Sequence, residues 1–353
     1  MSRVFGIFVG TMKIVVAPDS FKECLSAPMV AKTIAQAVRE MRPDAMAVEL
    51  PLADGGEGTL DILVQPMEAR IEEIQVHDPL GRLITARYGI ADETAIIEVA
   101  EACGLQLLAP EERNPIIASS KGVGELLLDV YNKGCRHFII CLGGSATCDG
   151  GVGMMSVPGL KELLGSCTVE LLCDVDAPLI GNCGAARVFA PQKGASAQDV
   201  EVLENRMVLL ADKMLKETGV DIANKPGAGA AGGLGGALMA YGNAVVSNGA
   251  MRVMQLCGFH DAVKDADLII TGEGKSDAQS LMGKVPFAVL RHSCNVPVVL
   301  LSGRIEDHDA LKQAGFSRII EITPPDLPLN NALDPDTAIQ NIRSAIHNSF
   351  GKK

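Results

Sequence analysis

Two rhythms of apolar residues alternate along this chain. Residues 14–17 are a short unbroken apolar run stopped by Pro18, the mark of a strand buried on both faces. Ser26 then stands where an N-cap belongs, Pro28 falls in the first turn, and Val30, Ile34, Val38 and Met41 recur at helical spacing. Residues 47–50 form a second strand-like run ended by Pro51. The glycine-rich Ala53-Asp54-Gly55-Gly56-Glu57-Gly58 then leads into a helix near Thr59.

Past residue 70 the grammar changes. Segments 71–76, 83–90 and 94–99 read as short strands with Asp78-Pro79-Leu80-Gly81 and Ala91-Asp92-Glu93 as turns between them, which predicts an antiparallel meander. A helix is expected around 122–131, strands at 138–142 and 169–173, and a long helix over 199–217. From Asp267 the strand–helix alternation returns, with strands at 268–270, 298–301 and 318–322 and helices at 285–291, near Ala310 and at 337–350. The two ends share a grammar that the middle lacks. The expectation is a doubly wound α/β domain built from both termini, residues 12–75 and 275–353, around an inserted mixed α/β domain, residues 76–274. Residues 1–11 are an N-terminal extension with no assigned role, and 323–335 read as an ordinary long loop.

Composition narrows the functional classes. Of 353 residues 48% are hydrophobic but only 3% aromatic, with no Trp, which suits buried parallel sheets better than a base-stacking surface. The net charge of −12 argues against nucleic acid or an anionic membrane as partner. It does not exclude nucleotides, which backbone N–H groups, a few lysines and a divalent metal can hold. The cysteines form no CxxC pair and several sit in apolar runs, the usage of a cytoplasmic protein with buried thiols. No transmembrane run or signal segment is visible.

Ligands of open parallel sheets bind beyond the carboxyl ends of strands. Four such ends carry polar or glycine residues: Asp19-Ser20-Phe21-Lys22, Asp54-Gly55-Gly56, Thr271-Gly272-Glu273-Gly274 and Ser302-Gly303-Arg304. Each alone reads equally well as a turn. The run from Gly143 to Gly151 follows a strand and precedes a helical stretch, so its N–H groups suit a phosphate, or else it is a tight turn. Gly227 to Gly232 spells GxGxxG, but no strand precedes it and no acidic residue follows at the expected distance, so the dinucleotide reading fails. An anion-contacting loop and close helix packing both remain open there. Gly272-Glu273-Gly274-Lys275-Ser276 is not a P-loop, because Ile269 stands where that motif needs glycine. Glu273 and Asp277, with Asp149, Asp174 and Asp176, place carboxylates on glycine-rich segments where Mg²⁺ is at home, although each also suits a cap or turn. The six histidines show no zinc spacing, and no GxSxG elbow appears.

Together these segments resemble the bacterial two-domain glycerate kinases of the glycerate 2-kinase type. The matching runs are Ala17-Pro18-Asp19-Ser20-Phe21-Lys22-Glu23, Pro51 to Thr59, Pro110 to Pro115, Gly143 to Gly153, Cys173 to Leu179, Pro191 to Ala195, Pro226 to Gly235, and Thr271 to Ser280 with Gly283-Lys284. The resemblance spans nearly all of 12–322. It implies a flavodoxin-like domain from both termini, an inserted α/β domain, an active site in the cleft between them, and ATP-dependent phosphorylation of D-glycerate, usually to 2-phosphoglycerate. The chain departs from the family pattern at residues 1–11, at Cys148 (usually Asn), and at Lys275 and Ser276 (usually Arg and a hydrophobic residue). The stretch from Met155 to Val169 is also a few tens of residues shorter than usual.

On the matched positions, Asp19, Ser20, Lys22, Gly55, Gly56 and Lys284 bind the substrate, with Lys22, Ser20 and the N–H groups near Gly55 and Gly56 on glycerate's carboxylate. Asp149, or else Asp54, takes the proton of the attacking hydroxyl. Lys193 and Lys284 neutralise the transferring phosphoryl group. Gly143, Gly144, Ser145, Thr147, Gly229, Gly232 and Gly233 cradle the nucleotide, and Glu273 and Asp277 hold Mg²⁺. The expected partners are D-glycerate and ATP, with the protein a monomer or homodimer. The alternatives are a kinase for another small hydroxy acid and a catalytically degenerate sugar-acid-binding protein.

Overall fold

The structure, a computed structural model, describes residues 11–277, 280–281 and 283–350. The N-terminal extension, apart from Thr11, lies outside them. In chain order the strands are β1 (Lys13–Val16), β2 (Met46–Glu49), β3 (Arg70–His77), β4 (Leu83–Ala91), β5 (Thr94–Glu98), β6 (His137–Cys141), β7 (Thr168–Leu172), β8 (Val245–Ser247), β9 (Leu268–Ser276), β10 (Val298–Ile305) and β11 (Arg318–Glu321). They form two sheets in two compact units. One unit runs to Asp54 and resumes at Ala250; the other is Gly55–Gly249.

In the first unit the sheet order is β11-β10-β9-β1-β2, and every neighbouring pair is parallel. Counted along this unit alone, that is the flavodoxin-like order 2-1-3-4-5. The runs that predicted these strands are buried through: Val15, Val16, Leu268, Ile269, Ile270, Leu300 and Leu301 are all inaccessible. The helix Ala27–Met41 lays Val30, Ala31, Ile34 and Val38 on one face of the sheet and packs beside the helix Pro335–Phe350, which contributes Ala338, Ile342 and Ile346 to the same core.

Two strands outrun their sequence expectation. β9 and β10 continue past Ile270 and Leu301, with Lys275 opposite Arg304 and Ser276 opposite Ile305. The segments 271–274 and 302–304 are therefore strand, not turn. A Cβ on Gly272 would come within 2.0 Å of the Leu301 carbonyl oxygen, so the glycine serves close strand approach.

The second unit holds the order β3-β4-β5-β6-β7-β8. β3, β4 and β5 form the expected antiparallel meander, and β5 to β8 run parallel. Strand β8 gave no signal in the sequence because it has only three residues. The core gathers Tyr88, Ile97, Leu126, Phe138, Ile140, Leu171 and Leu238 under the helices Lys121–Asn132, Ala197–Thr218 and Leu234–Gly242. Between β6 and β7 the chain makes only the short helices Val152–Met155 and Leu160–Gly165.

The unit boundaries fall at 54/55 and 249/250, not at 75/76 and 274/275. Strand pairing decides this: β3 ladders along its whole length with β4, whereas β9 lies between β1 and β10.

Candidate active site

In the first unit, the carboxyl ends of β1 and β9 flank the point where the strand order reverses, the usual ligand position in such sheets. A pocket of about 720 Å³ opens there. Its charged end is built by Asp19, Ser20 and Lys22 after β1, Asp54 after β2, Glu273 on β9, and Lys284 at the start of the helix Val285–Arg291. The loop after β1 is tied to its neighbour: Asp19 N–H donates to the Gly272 carbonyl at 2.8 Å, and Thr271 Oγ1 donates to the Ala17 carbonyl at 2.7 Å. Asp19 Oδ1 accepts from Ser20 N–H at 2.6 Å.

Opposite charges are set against each other in this end. Lys22 Nζ lies 3.6 Å from Asp54 Oδ2, and Lys284 Nζ lies 3.8 Å from Glu273 Oε2. Ser276 Oγ donates to Glu273 Oε1 at 2.9 Å. Asp19 is only 5% exposed. Burial, and then the negative charge of Asp54, push its carboxyl well above the usual range, against the pull of Lys22. Burial likewise raises Glu273, and Asp54 raises the Lys22 ammonium. Two buried carboxyls held above their ordinary values beside two lysines are the arrangement expected where a cation and an anion are to be bound.

Asp277 is placed otherwise than the metal assignment requires. It does not line the pocket; its N–H donates to Ser280 Oγ at 3.0 Å and its Oδ1 accepts from Ser280 N–H at 3.2 Å. Glu273 shares the pocket with Asp19 and Asp54 instead. Among the described residues no group of three His, Cys, Asp or Glu side chains is arranged to hold a metal by itself.

The remaining assigned residues belong to the second unit. Asp149 is committed to its own loop: Oδ2 accepts from Ser120 N–H at 2.9 Å, Ser120 Oγ at 2.8 Å and Gly153 N–H at 3.0 Å, while Oδ1 accepts from Gly151 N–H at 3.0 Å. A carboxylate so engaged holds its loop in place. Lys193, 3% exposed, donates to Ser145 Oγ at 2.8 Å and to the Thr147 carbonyl at 2.7 Å. Desolvation lowers its pKa, so it is a buried strut through the glycine loop and not a surface cation for a phosphoryl group. Gly229, Gly232 and Gly233 are packed against backbone. Gly232 has φ +65°, and a Cβ there would sit 2.0 Å from the Thr147 carbonyl oxygen. Close packing is what these glycines allow. Gly143 meets Gly55 and Gly56 backbone to backbone, its N–H donating to Gly55 O at 3.4 Å, and Gly144 stands at the next turn with φ +76°.

Sequence reasoning missed two groups. Thr323, Leu327, Leu333 and Asn341 line the far end of the first unit's pocket, although 323–335 had read as an ordinary loop. The signal was available, since this loop also follows the carboxyl end of a parallel strand. Glu98, at the end of β5, is buried and accepts from Leu60 N–H at 2.5 Å and Gly58 N–H at 3.2 Å, at the start of the helix Thr59–Leu63. Burial pushes its carboxyl up to about 7.

Fold and pocket define an α/β protein of the doubly wound class, with its ligand site at the switch point of a parallel sheet. The sequence model of the glycerate kinase family matches residues 14–163 and 155–350. Curated relatives include a glycerate kinase of Haemophilus influenzae, 40% identical over 88% of this chain and 91% of its own. A glycerate 2-kinase of Escherichia coli is 38% identical over 88% and 90%. A crystal structure of a putative glycerate kinase 2 from Salmonella typhimurium superposes with a TM-score of 0.81 at 37% identity, covering 97% of this chain and 98% of the other. The chain belongs to the glycerate kinase family. The H. influenzae alignment runs over 344 positions yet takes in only 88% of this chain, so a few tens of its positions have no counterpart here. The family match itself restarts at 155–163, within the short β6–β7 connection.

Proposed function

We propose that this protein transfers the γ-phosphoryl group of ATP to D-glycerate, giving 2-phosphoglycerate. The observation that carries this, within a family of glycerate kinases, is the switch-point pocket with Lys22 and Lys284 set against Asp19, Asp54 and Glu273. Phosphoryl transfer needs in-line positioning and charge neutralisation more than covalent catalysis. Lys22 and Ser20 bind the glycerate carboxylate. Asp54 orients the attacking hydroxyl and receives its proton, a role freed by the full engagement of Asp149. Lys284 faces the transferring phosphoryl oxygens.

The pocket also fits Mg²⁺. Asp19 and Glu273 are buried, raised carboxyls that a divalent ion would draw back to the charged form. Mg²⁺ typically takes one or two carboxylates and completes its shell with waters and substrate phosphates, so an all-protein cage is not required. Bound there, the ion would spread the negative charge of the phosphates; the protein's part is to hold the two carboxylates and keep the site dry. A cytosolic location is supported by Cys103, Cys135 and Cys148, thiols buried in the second unit's core.

Purified protein with D-glycerate, ATP and Mg²⁺, followed by phosphorus NMR, tests the reading. A 2-phosphoglycerate resonance growing with ADP supports it, and a 3-phosphoglycerate resonance overturns the regiochemistry alone. Glycerate binding without turnover would favour the degenerate binding protein and direct attention to the short β6–β7 connection.

A further inference from the structure

We propose that the apolar end of the first unit's pocket seats the base and ribose of the nucleotide. This rests on the kinase reading above and moves the nucleotide away from the glycine loops of the second unit, whose backbones fill one another's space. Three observations support it. First, at about 720 Å³ the pocket lies within the roughly 300–1,000 Å³ typical of sites for ligands far larger than a three-carbon acid. Second, the pocket changes character across the sheet. Its charged end stands over β1, β2 and β9, whereas Ile322, Leu327 and Leu333, after the edge strand β11, and Ala338 on the helix Pro335–Phe350 give it apolar walls. Glycerate, all carboxylate and hydroxyl, has no surface to match them; a flat heterocycle does.

Third, the polar groups fall in the order a nucleoside triphosphate presents. Lys284, before the helix Val285–Arg291, pairs with Glu273 at the charged end, while Lys275 on β9 and Arg304 on β10 line the pocket from the strands between β1 and β11. Among the described residues the side chains of the latter two are held by exposed ion pairs, to Glu306 at 3.0 Å and Glu321 at 3.3 Å, which are weak enough to be exchanged for phosphates. Asn341, on the helix Pro335–Phe350, brings a side-chain amide to the apolar end. Such an amide can both donate to and accept from the edge of an adenine.

The absence of tryptophan makes a direct test possible. Leu329 lines the pocket and is 71% exposed; Leu209, on the helix Ala197–Thr218 of the other unit, is 69% exposed. Leu329→Trp and Leu209→Trp each give a protein with a single reporter, titrated with Mg²⁺-ATP and, separately, with D-glycerate. Saturable quenching by ATP in Leu329→Trp and none in Leu209→Trp is expected. Asn341→Leu is expected to raise the KM for ATP about tenfold, a loss of about 1.4 kcal/mol, with kcat and the KM for glycerate held. A Leu329→Trp signal that answers to glycerate and not ATP, or to neither, overturns the proposal, as does an Asn341→Leu variant whose glycerate KM alone rises. If no phosphoglycerate forms but ATP still quenches Leu329→Trp, the kinase reading falls and the nucleotide seat stands.

Discussion

Asp149 and Asp54 show how much a carboxylate's role depends on what faces it. Both are aspartates beside glycines, and the sequence reading put Asp149 ahead of Asp54 as the base. Only the tertiary structure brings Ser120, 29 positions away in sequence, onto Asp149, and no local pattern announces that partner. Asp149→Ala should therefore act on stability, losing about 3 kcal/mol as charge-assisted bonds are removed and N–H groups are left unpaired, read as a lower urea midpoint. Lys22→Ala should instead leave the midpoint in place and cut kcat/KM on the order of a hundredfold, the scale of losing one preorganised charge at a reacting phosphoryl group. Glu98 provides a pH test. Its folded pKa, about 7, lies above its unfolded value, so the folded state binds the proton more tightly. The associated stability is present below about pH 4.5 and is lost as pH rises through 7, amounting to at most about 3 kcal/mol. Urea unfolding at pH 5 and pH 8 measures that slope, and Glu98→Gln should flatten it.

Glycine was the least legible residue at the scale of elements, because one residue type answers several needs. The 272 and 303 positions read equally well as ligand-binding strand ends or as turns and lie within strands, where they let neighbouring backbones close up. The GxGxxG run left an anion-contacting loop and close packing open, and its glycines are closely packed. Strands and helices with a strong apolar period, such as 285–291 and 138–142, were legible nearly to the residue, since burial enforces the period. Gly232→Ala tests the packing account: both the positive φ and the collision with the Thr147 carbonyl oppose a Cβ. A loss of about 3 kcal/mol or more is expected, with the glycine loop at 143–151 the first segment to gain amide exchange. An alanine variant of wild-type stability would refute the packing account.

The split architecture of the whole molecule was visible in the change of grammar at either side of the middle, because parallel and antiparallel sheets impose different spacings between strands. The exact seams were not, because a strand's allegiance is set by its ladder partner, which for β1 and β9 lies 254 positions away, Ile14 opposite Leu268. The same limit hid the pocket: its walls come from five strand ends and the closing helix, and only their assembly shows that a charged end and an apolar end are continuous. At this scale the prediction concerns the short β6–β7 connection. Grafting the longer segment of the H. influenzae relative between residues 155 and 169 should leave ATP binding by the Leu329→Trp reporter unchanged, since no residue of the pocket lies there. A shift in that titration would show that the connection reaches the nucleotide.

Lys193 has one more consequence. Its amine is sealed from solvent and spends its protons on Ser145 and Thr147, so an acylating reagent that decorates the surface lysines within minutes has to wait for the glycine loop to open. The rate at which that one lysine acquires a label, followed by mass spectrometry, is a clock for the loop's opening. It would run without any substrate present, and would report on the second unit alone.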